Sequence, residues 1–379
     1  MKKIKIAYVI DRIDSPTAGT EKQLVLLLKG LDRSRYDPVL CLLRSSEWVE
    51  KAFGACPVHL VDIRSFREPR AYGRIGQFAA FLRKEGVGIV QTHFRDAHIA
   101  ALLAARLAGV RIVIAARRNQ GYWLTRRELS LQRFLNRWVT LFLANSLSTK
   151  KWSMDTEGIP GGKIRVVHNG IDPDFYGAVS GEARRRHRSL LAIPYDAPVV
   201  GIVSNLRPVK GVDLFLRAAH SIRREIPRAR FVVVGDGGER EGLARLARGL
   251  DLAGSVHFLG KRDDVASLLS AFDVGVLSSL SESFSNALIE YSAAGLPVVA
   301  TDVGGSREAV LQGVNGFIVP PGDSGALAAA AIKVLTEEAL ALRMGTAGRE
   351  RARELFSLRR SVEETEKVYC SCWEGALQR

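Results

Sequence analysis

The chain has 379 residues, 47% of them hydrophobic, and a net charge of +15. Its length is too great for one ordinary domain and suits two with sizeable cores, while no apolar run is long enough for a membrane-spanning helix. The four cysteines show neither zinc-ligand spacing nor disulfide density, so we expect a cytoplasmic protein with reduced thiols.

The excess positive charge is confined to the first half of the chain. Residues 1–190 contain 33 Lys and Arg and 17 Asp and Glu, for a net charge of +16. The remaining residues contain 22 basic and 23 acidic side chains, for a net charge of −1. This asymmetry predicts an anionic partner for the first half only.

The first half alternates short apolar segments with amphipathic ones. The apolar segments predict strands at 3–10, 38–43, 58–63, 88–92, 110–115, 139–144 and 163–167. The amphipathic segments predict helices between these strands, among them 20–31, 70–84 and 98–107. Strands that are separated in this way by helices indicate a parallel, doubly wound α/β sheet.

Residues 169–198 interrupt this alternation with Gly, Pro and a basic run, and we predict a linker over 176–197. The alternation then restarts, with strands at 199–204, 230–235, 255–259, 274–277 and 297–301. The sequence therefore predicts two tandem Rossmann-like domains, residues 1–175 and 198–357, and a terminal helix at about 358–379. A ligand of such domains is expected in the cleft between them, at the carboxyl ends of both sheets.

Two features of the first domain could contact a ligand. In the segment PTAGTE at 16–21, Gly19 would let the backbone approach a phosphate and Thr20 follows it, although an ordinary helix-start turn explains this segment nearly as well. His93 ends the strand 88–92, where it is either a structural histidine or a polar contact to the ligand. A dinucleotide-binding GxGxxG motif and a P-loop are both missing from the sequence.

The most basic stretch, residues 116–138, is predicted to be largely an amphipathic helix. Its basic side carries Arg126, Arg133 and Arg137, and its apolar side carries Leu124, Leu131, Leu135 and Trp138. One interpretation packs the apolar side on the sheet and leaves the arginines in water. In the other, the arginines bind an anionic acceptor or an anionic membrane, and Arg117 and Arg118 belong to the same surface. We favour this second interpretation because the whole first half is basic; each basic residue near an anionic bilayer contributes about 1 kcal/mol.

Two cations, Arg207 and Lys210, lie in NLRPVKG between the strand 199–204 and the next helix. A helix start with two cations suits a diphosphate, since one such contact is worth on the order of 4 kcal/mol before desolvation. A solvated surface pair is the competing interpretation. The next two strands lead into the loop motifs GDGGER at 235–240 and FLGKRDDV at 258–265. The second motif contains Lys261 and Arg262.

The stretch 277–320 carries two carboxylates eight positions apart, Glu282 and Glu290. Glu282 is predicted on the loop after a strand, and Glu290 about one turn into a helix capped by Ser283 or Ser285. The free amides at that helix start would bind an anion, through the backbone of Phe284, Ser285, Asn286 and Ala287. A carboxylate beside an anion site suits a ligand with both hydroxyls and phosphate, such as a sugar diphosphate.

The Glu-x7-Glu pair, the run AAGLPVVATDVGGSRE at 293–308 and NGFIVPPGD at 315–323 resemble the GT4 family of retaining glycosyltransferases, which have the GT-B architecture. The chain departs from the usual family pattern in two places. It has SFS at 283–285 where Gly-Phe-Gly is common, and Ala18-Gly19 where a Gly-Gly pair is common. The resemblance also implies that the terminal helix crosses back to the first domain.

The resemblance implies transfer of a sugar from a UDP- or GDP-sugar to an acceptor, with retention at the anomeric carbon. Arg207 and Lys210 would bind the leaving diphosphate, and Glu282 would orient the sugar and stabilise its developing positive charge. Glu290 would accept hydrogen bonds from the ribose. The leaving phosphate would take the acceptor's proton in a front-face attack, without a metal or other cofactor.

The same resemblance implies contacts for the base and for the sugar. Lys261 and Arg262 would lie near the base, and His93 would contact the transferred sugar. We expect the acceptor to be a lipid-linked or cell-surface polysaccharide or lipopolysaccharide precursor. The protein would then associate peripherally with the inner face of the cytoplasmic membrane.

Two alternatives remain at this stage. One is an epimerase or a phosphorylase on the same architecture, of which the phosphorylase would need a pyridoxal-phosphate lysine. The other is a non-enzymatic binder of anionic lipid or nucleic acid, whose binding would be sensitive to salt. Nucleic acid is the weaker of these partners, because the basic residues are not interleaved with aromatic residues in a recognisable binding module.

Overall fold

The computed structural model describes residues 3–17, 19–121, 125–177 and 181–378. The chain divides into two compact units, one formed by residues 1–170 together with 358–379 and the other by residues 171–357. Each unit is built on one parallel sheet with helices on its faces, so the predicted fold class of two doubly wound α/β sheets is confirmed.

The first sheet has the strand order β3-β2-β1-β4-β5-β6-β7. Its strands are β1 Ile4–Ile10, β2 Tyr36–Leu42, β3 Val58–Leu60, β4 Ile89–Thr92, β5 Ile112–Arg117, β6 Leu141–Ala144 and β7 Ile164–Val166. The helices between them are α1 Gly19–Gly30, α2 Glu47–Ala52, α3 Arg70–Lys84, α4 Arg95–Ala108, α5 Arg126–Leu135 and α6 Leu147–Glu157. Residues 6–10 of β1 are fully buried, because helices cover both faces of the sheet.

The second sheet has the strand order β10-β9-β8-β11-β12-β13. Its strands are β8 Val199–Val203, β9 Arg230–Val234, β10 Val256–Phe258, β11 Val274–Leu277, β12 Val298–Thr301 and β13 Gly316–Val319. The helices are α7 Pro173–Gly177, α8 Gly181–Leu190, α9 Val212–Glu225, α10 Arg240–Gly249, α11 Val265–Leu268, α12 Asn286–Ala293, α13 Ser306–Ala309, α14 Ser324–Thr336 and α15 Glu338–Leu355.

In both sheets the order of strands reverses at one point, between β1 and β4 in the first and between β8 and β11 in the second. The loops that leave the carboxyl ends of two such strands run in opposite directions and leave a crevice between them. Each unit therefore offers its own ligand-binding position at this switch point.

The predicted linker over 176–197 differs from the structure, which places residues 171–197 in the second unit. Arg188 on α8 is only 1% exposed and donates hydrogen bonds to the carbonyls of Ala271 and Ala197. Its guanidinium and that of Arg184 both pair with Asp273, at 2.8 Å and 2.6 Å. The basic run that suggested an exposed linker thus holds α8 against the unit; residues 178–180 lie outside the described residues.

The C-terminal helix α16, Leu358–Leu377, is grouped with the first unit. Tyr369 on α16 is fully buried and packs edge-on against the rings of Tyr8 and Tyr36. Trp373 lies so close to Gly88 that a β-carbon there would be 2.4 Å from the indole ring. None of the described helices combines the length and apolar character needed to cross a membrane.

Candidate functional site

The switch point of the second sheet brings a cation and a carboxylate together. Lys210 ends a short 3-10 helix, Pro208–Lys210, on the loop after β8, and Glu282 lies on the loop between β11 and α12. The Lys210 ammonium donates a hydrogen bond to Glu282 Oε1 at 2.5 Å. Two residues that lie 72 positions apart in the sequence and were predicted on separate loops therefore form one ion pair.

Backbone contacts hold these two loops together. The Leu280 N–H donates to the Val209 carbonyl at 2.8 Å, and the Ser278 hydroxyl donates to the Lys210 carbonyl at 3.2 Å. Gly211 has φ +58°, and a β-carbon there would lie 2.2 Å from the Ser278 carbonyl oxygen. Only glycine tolerates both this conformation and this approach, so Gly211 fixes the distance between the loops.

A third loop, which follows β12, closes on Glu282 from the other side. Gly304 has φ +53°, and a β-carbon there would lie 2.0 Å from the Glu282 carbonyl oxygen. The Gly305 N–H donates to the Ser283 carbonyl at 2.8 Å. The glycines of the TDVGG motif thus serve to pack the backbone of the Glu282 loop.

The Glu282 side chain is only 10% exposed, and its two hydrogen bonds both fall on one oxygen. Oε1 accepts from Lys210 and, at 2.9 Å, from the Ser279 hydroxyl. Within the described part of the chain Oε2 has no hydrogen bond, so it remains available as an acceptor. Lys210 has three N–H donors, of which the bond to Glu282 uses one. Arg207, on the same loop as Lys210, is exposed.

Helix α12 begins beside this pair. Ser285 occupies the N-cap position, as one of the two predicted caps, but its hydroxyl makes no capping hydrogen bond. Glu290 lies in the second turn and is buried, and so is Ala287 in the first turn. Phe284 points its ring into the core, where it packs against Phe356 with 5.5 Å between ring centroids. Only the backbone of Phe284 can therefore face a ligand.

Tyr291 anchors α12 to the carboxyl end of the sheet. Its hydroxyl accepts a hydrogen bond from the Val203 N–H at 2.7 Å and donates to the Val276 carbonyl at 3.4 Å. Burial raises the pKa of this phenol far above its ordinary value, so the group stays protonated. The helix that carries Glu290 is thus fixed to both strands of the switch point.

Lys261 and Arg262 lie on the loop after β10, at the edge of the sheet and away from the switch point. Both side chains are exposed. The Arg262 guanidinium binds both oxygens of Asp264, at 2.8 Å and 2.6 Å, and this contact lowers the pKa of that carboxyl. This contact uses Nε and Nη2 of Arg262, so its Nη1 would be the nitrogen that faces a ligand.

At the switch point of the first sheet lies a cavity of about 680 Å³, formed entirely within the first unit. Its polar lining includes Asp11, Thr20, His93, Arg117 and Arg118. The sequence singled out four of these five at separate places, and the topology brings them together. Gly19 is the first residue of α1, directly before Thr20, while Ala18 lies outside the described residues.

His93 is neutral and its proton is placed by a chain of hydrogen bonds. Tyr8 donates to the Tyr369 hydroxyl at 3.0 Å, and Tyr369 donates to Gln91 Oε1 at 2.6 Å. The Gln91 amide nitrogen therefore faces His93 Nε2, at 3.1 Å, so Nε2 accepts and the proton lies on Nδ1. Burial, with the nearby charge of Arg118, lowers the pKa of His93 to about 3.

Asp11, directly after β1, is a site residue that the sequence reasoning missed. It is partly buried and accepts a hydrogen bond from the Ala97 N–H at 2.7 Å. Burial raises its pKa to about 6, although that hydrogen bond acts in the opposite direction. An acidic residue immediately after the first buried strand was the available signal, because such a residue must lie at the carboxyl end of the sheet.

Arg117 ends β5 and Arg118 follows it. Their side chains point into the first unit, which corrects the prediction that these two arginines contact a membrane. Arg117 is buried and pairs with Glu157 at 3.0 Å and with Asn136 at 2.8 Å. Arg118 donates to Asn169 at 2.5 Å, and burial lowers its pKa to about 10. Both arginines line the cavity, so only an acceptor-side role remains open to them.

Arg126 and Arg133 on helix α5, and Arg137 in the short 3-10 helix Asn136–Trp138 that follows it, are exposed to solvent, as the pattern predicts. Its apolar side is only partly packed on the unit. Leu135 is buried, but Leu131 and Phe134 are 49% and 50% exposed, and Leu124 lies outside the described residues. The helix begins with a capping box between Thr125 and Glu128. Its outer surface therefore combines exposed arginines with exposed large apolar side chains.

Two family models match the chain one after the other. The model described as Glycosyltransferase Family 4 matches residues 17–175, and the model described as Glycosyl transferases group 1 matches residues 183–351. The matches correspond to the two halves of the chain, and together they cover most of its length.

Curated relatives are identical to this chain at between a quarter and two fifths of the aligned positions. N-acetyl-alpha-D-glucosaminyl L-malate synthase of Bacillus anthracis is 29% identical over 301 residues, which are 77% of this chain and 77% of that protein. D-inositol 3-phosphate glycosyltransferase of Streptomyces avermitilis is 34% identical over 229 residues, 58% of this chain. The match spans only about half (49%) of that second relative.

Solved glycosyltransferase structures have the same fold. The crystal structure of Anabaena Alr3699/HepE in complex with UDP superimposes with a TM-score of 0.86 at 23% identity, over 98% of this chain and 100% of that one. A structure of WaaG, a glycosyltransferase involved in lipopolysaccharide biosynthesis, gives a TM-score of 0.75 at 19% identity, over 96% and 99%. At these identities the likeness establishes the fold alone.

The contact between Gly304 and the Glu282 loop can be tested against a glycine with similar backbone geometry. Gly313 also has positive φ, +74°, but a β-carbon there would meet nothing within 4 Å. We expect Gly313→Ala to destabilise the protein by about 1 kcal/mol from backbone strain. Gly304→Ala should cost at least roughly 2 kcal/mol more, because the Glu282 carbonyl must move. Thermal unfolding midpoints measure both; equal shifts would show that the approach to Glu282 is unimportant.

The raised pKa of Asp11 predicts a pH dependence of stability. Because the pKa of Asp11 is higher in the folded state, folding favours the protonated carboxyl. The contribution of Asp11 to the free energy of unfolding is therefore fully present below the unfolded pKa near 3.8 and is lost as the pH rises through about 6. Asn does not titrate, so Asp11→Asn removes this loss. The free energy of unfolding of the variant minus that of the wild type should therefore rise by roughly 2 kcal/mol from pH 4 to pH 7. Unfolding at several pH values measures the difference, with the exposed Asp14→Asn as control. A difference that stays constant would contradict the assignment.

Proposed function

We propose that this chain, which belongs to the GT4-type glycosyltransferases, transfers a sugar from a UDP- or GDP-sugar to an acceptor with retention at the anomeric carbon. The observation that carries the proposal is the contact between Lys210 and Glu282 at the switch point of the second sheet. A cation suited to a diphosphate and an acid suited to a sugar lie there side by side. Solved structures of Anabaena HepE contain UDP and UDP-glucose, which supports a donor of this kind.

The diphosphate of the donor is proposed to bind Lys210 and Arg207. Lys210 keeps N–H donors beyond the one that Glu282 uses, and Arg207 is exposed on the same loop. The backbone amides of Phe284 and Ser285, just before α12, and of Asn286 and Ala287, in its first turn, would bind the outer phosphate, because the start of a helix carries a partial positive charge that favours an anion. These charges would also stabilise the departing nucleoside diphosphate.

The transferred sugar is proposed to contact Glu282 through Oε2. A carboxylate there would orient the sugar hydroxyls and stabilise positive charge at the anomeric carbon as the bond to the phosphate breaks. The leaving phosphate would accept the proton of the attacking acceptor hydroxyl. Glu290 would accept hydrogen bonds from the ribose, Lys261 and Arg262 would lie near the base, and the Nδ1–H of His93 would donate to a sugar hydroxyl.

For the acceptor we propose a lipid-linked or cell-surface polysaccharide precursor, which the protein would meet at the inner face of the cytoplasmic membrane. The support is the outer surface of α5 and of the 3-10 helix after it, where Arg126, Arg133 and Arg137 accompany the half-exposed Leu131 and Phe134. Arginines attract anionic head groups, and apolar side chains between them can enter the interface.

The two roles at the switch point can be separated by binding and turnover. Lys210→Ala removes a charge that faces the diphosphate, so UDP binding should weaken by about tenfold or more. Glu282→Gln removes a negative charge beside that position, so UDP should bind at least as tightly, while turnover falls by about 10²-fold or more. Calorimetric titration with UDP and release of UDP from a panel of UDP-sugars give both values.

Lys333→Ala on α14 is the matched control for the loss of a lysine outside the site, and it should change neither quantity. The proposal fails if wild-type protein binds neither UDP nor GDP. It also fails if Lys210→Ala binds UDP like the wild type.

Membrane association can be measured with vesicles. Arg127 is also exposed on α5, whereas the Arg133 guanidinium donates to the Thr156 carbonyl and is left in place. Replacing Arg126, Arg127 and Arg137 by Gln should weaken binding to vesicles with 30% anionic lipid by at least about tenfold, at about 1 kcal/mol per residue near the surface. Replacement of the exposed Arg224, Arg245 and Arg343 of the second unit is the control with the same change of charge. Sedimentation with vesicles at low and physiological salt measures both. An equal loss in the two triple variants would leave only non-specific attraction and would contradict docking through α5.

A further inference from the structure

Two buried histidines face the cavity of the first unit with unsatisfied ring nitrogens. His93 and His98 are 2% and 3% exposed, and both line the cavity. Nδ1 of His93 and Nε2 of His98 have no hydrogen-bond partner among the described residues. Their other nitrogens are engaged, His93 Nε2 by Gln91 and His98 Nδ1 by the Thr92 hydroxyl at 2.8 Å. Buried polar atoms are nearly always paired, so these two atoms indicate a ligand.

The chemistry at this end of the cavity suits hydroxyl groups. Burial lowers the pKa of both histidines, with Arg118 contributing at His93 and Arg117 at His98, so both rings are neutral near pH 7. A neutral imidazole exchanges hydrogen bonds with a hydroxyl, which can donate and accept, but it does not attract an acid as an imidazolium would. The nearby Asp11 is a further acceptor for a hydroxyl.

The rest of the cavity wall is largely apolar. It includes Ile99 and Leu103 on α4, Leu131 and Leu135 on α5, and Trp152 on α6. Leu131 is half exposed, so the apolar part of the cavity reaches the surface beside α5. The same helix carries the exposed arginines of the outer surface. A ligand that fills the cavity therefore meets polar atoms at the strand ends and hydrocarbon toward α5.

We infer that the cavity binds an amphiphilic acceptor, with a hydroxyl-bearing headgroup at His98 and Asp11, next to the transferred sugar at His93, and an alkyl or isoprenyl chain between α4 and α5. The inference rests on the proposed transferase function and specifies the acceptor class for it. A volume of about 680 Å³ lies within the range of small-molecule sites and is large enough for a headgroup and the first part of a chain. A small, highly charged acceptor would leave the apolar walls unused.

The test uses alkyl β-D-glucosides as probes, from methyl to octyl, each below its critical micelle concentration. Calorimetry on the full chain with UDP present should show the dissociation constant falling by roughly threefold per added methylene until the chain fills the cavity. Hexyl glucoside should then bind at least about 30-fold more tightly than methyl glucoside. L-malate, a small polar acid, should bind more weakly than hexyl glucoside.

Three leucine variants locate the effect. Leu103→Gln and Leu131→Gln should each reduce the advantage of hexyl over methyl glucoside by about tenfold and leave methyl glucoside unchanged, because only the chain meets these positions. Leu107→Gln is the matched control, since Leu107 lies one turn after Leu103 on α4, is 59% exposed and does not line the cavity. It should keep the wild-type dependence on chain length.

Failure of the inference and failure of the proposed function are distinguishable in the same titrations. UDP binding together with equal affinities for methyl and hexyl glucoside would overturn the amphiphilic acceptor and leave the transferase proposal standing. Loss of the chain-length effect in Leu107→Gln to the same extent as in Leu103→Gln would also overturn it. No binding of UDP or GDP by wild-type protein would overturn the proposed function instead.

Discussion

The ion pair between Lys210 and Glu282 is the contact on which the functional arrangement of the second unit depends. Both side chains leave the carboxyl ends of neighbouring strands, β8 and β11, and the pair is largely buried. A buried carboxylate without its partner is costly, so the loop after β8 and the loop after β11 must keep their separation. Gly211 makes that separation possible, and Gly304 lets the loop after β12 pack on the Glu282 loop, because a side chain at either glycine would collide with the neighbouring backbone.

The same topological rule organises the first unit with different chemistry. Its switch point carries Asp11 after β1 and His93 after β4, and neither is held by an ion pair with the other. The state of His93 is set instead through Gln91 by Tyr369, which lies on α16 near the end of the sequence. The C-terminal helix thus determines which nitrogen of a cavity histidine carries its proton.

Periodicity and local motifs were sufficient to predict the two parallel sheets and the loops that carry Lys210 and Glu282. Partners that lie far apart in the sequence were not predictable. Arg188 belongs to a basic run that looked like a linker, and contacts with Asp273 and the Ala271 carbonyl, 85 and 83 positions away, hold it in the interior. Arg117 is buried by Glu157 for the same reason, and the exposure of Leu131 and Phe134 depends on which side of α5 the unit leaves uncovered.

The central claim is that the switch point of the second sheet holds the diphosphate of a nucleotide sugar. A crystal structure of this chain with UDP tests it most directly. The account predicts phosphate oxygens within hydrogen-bond distance, about 3 Å, of Lys210 Nζ and of the first amides of α12. UDP bound elsewhere, with Lys210 still held only by Glu282 and no phosphate at the start of α12, would contradict it.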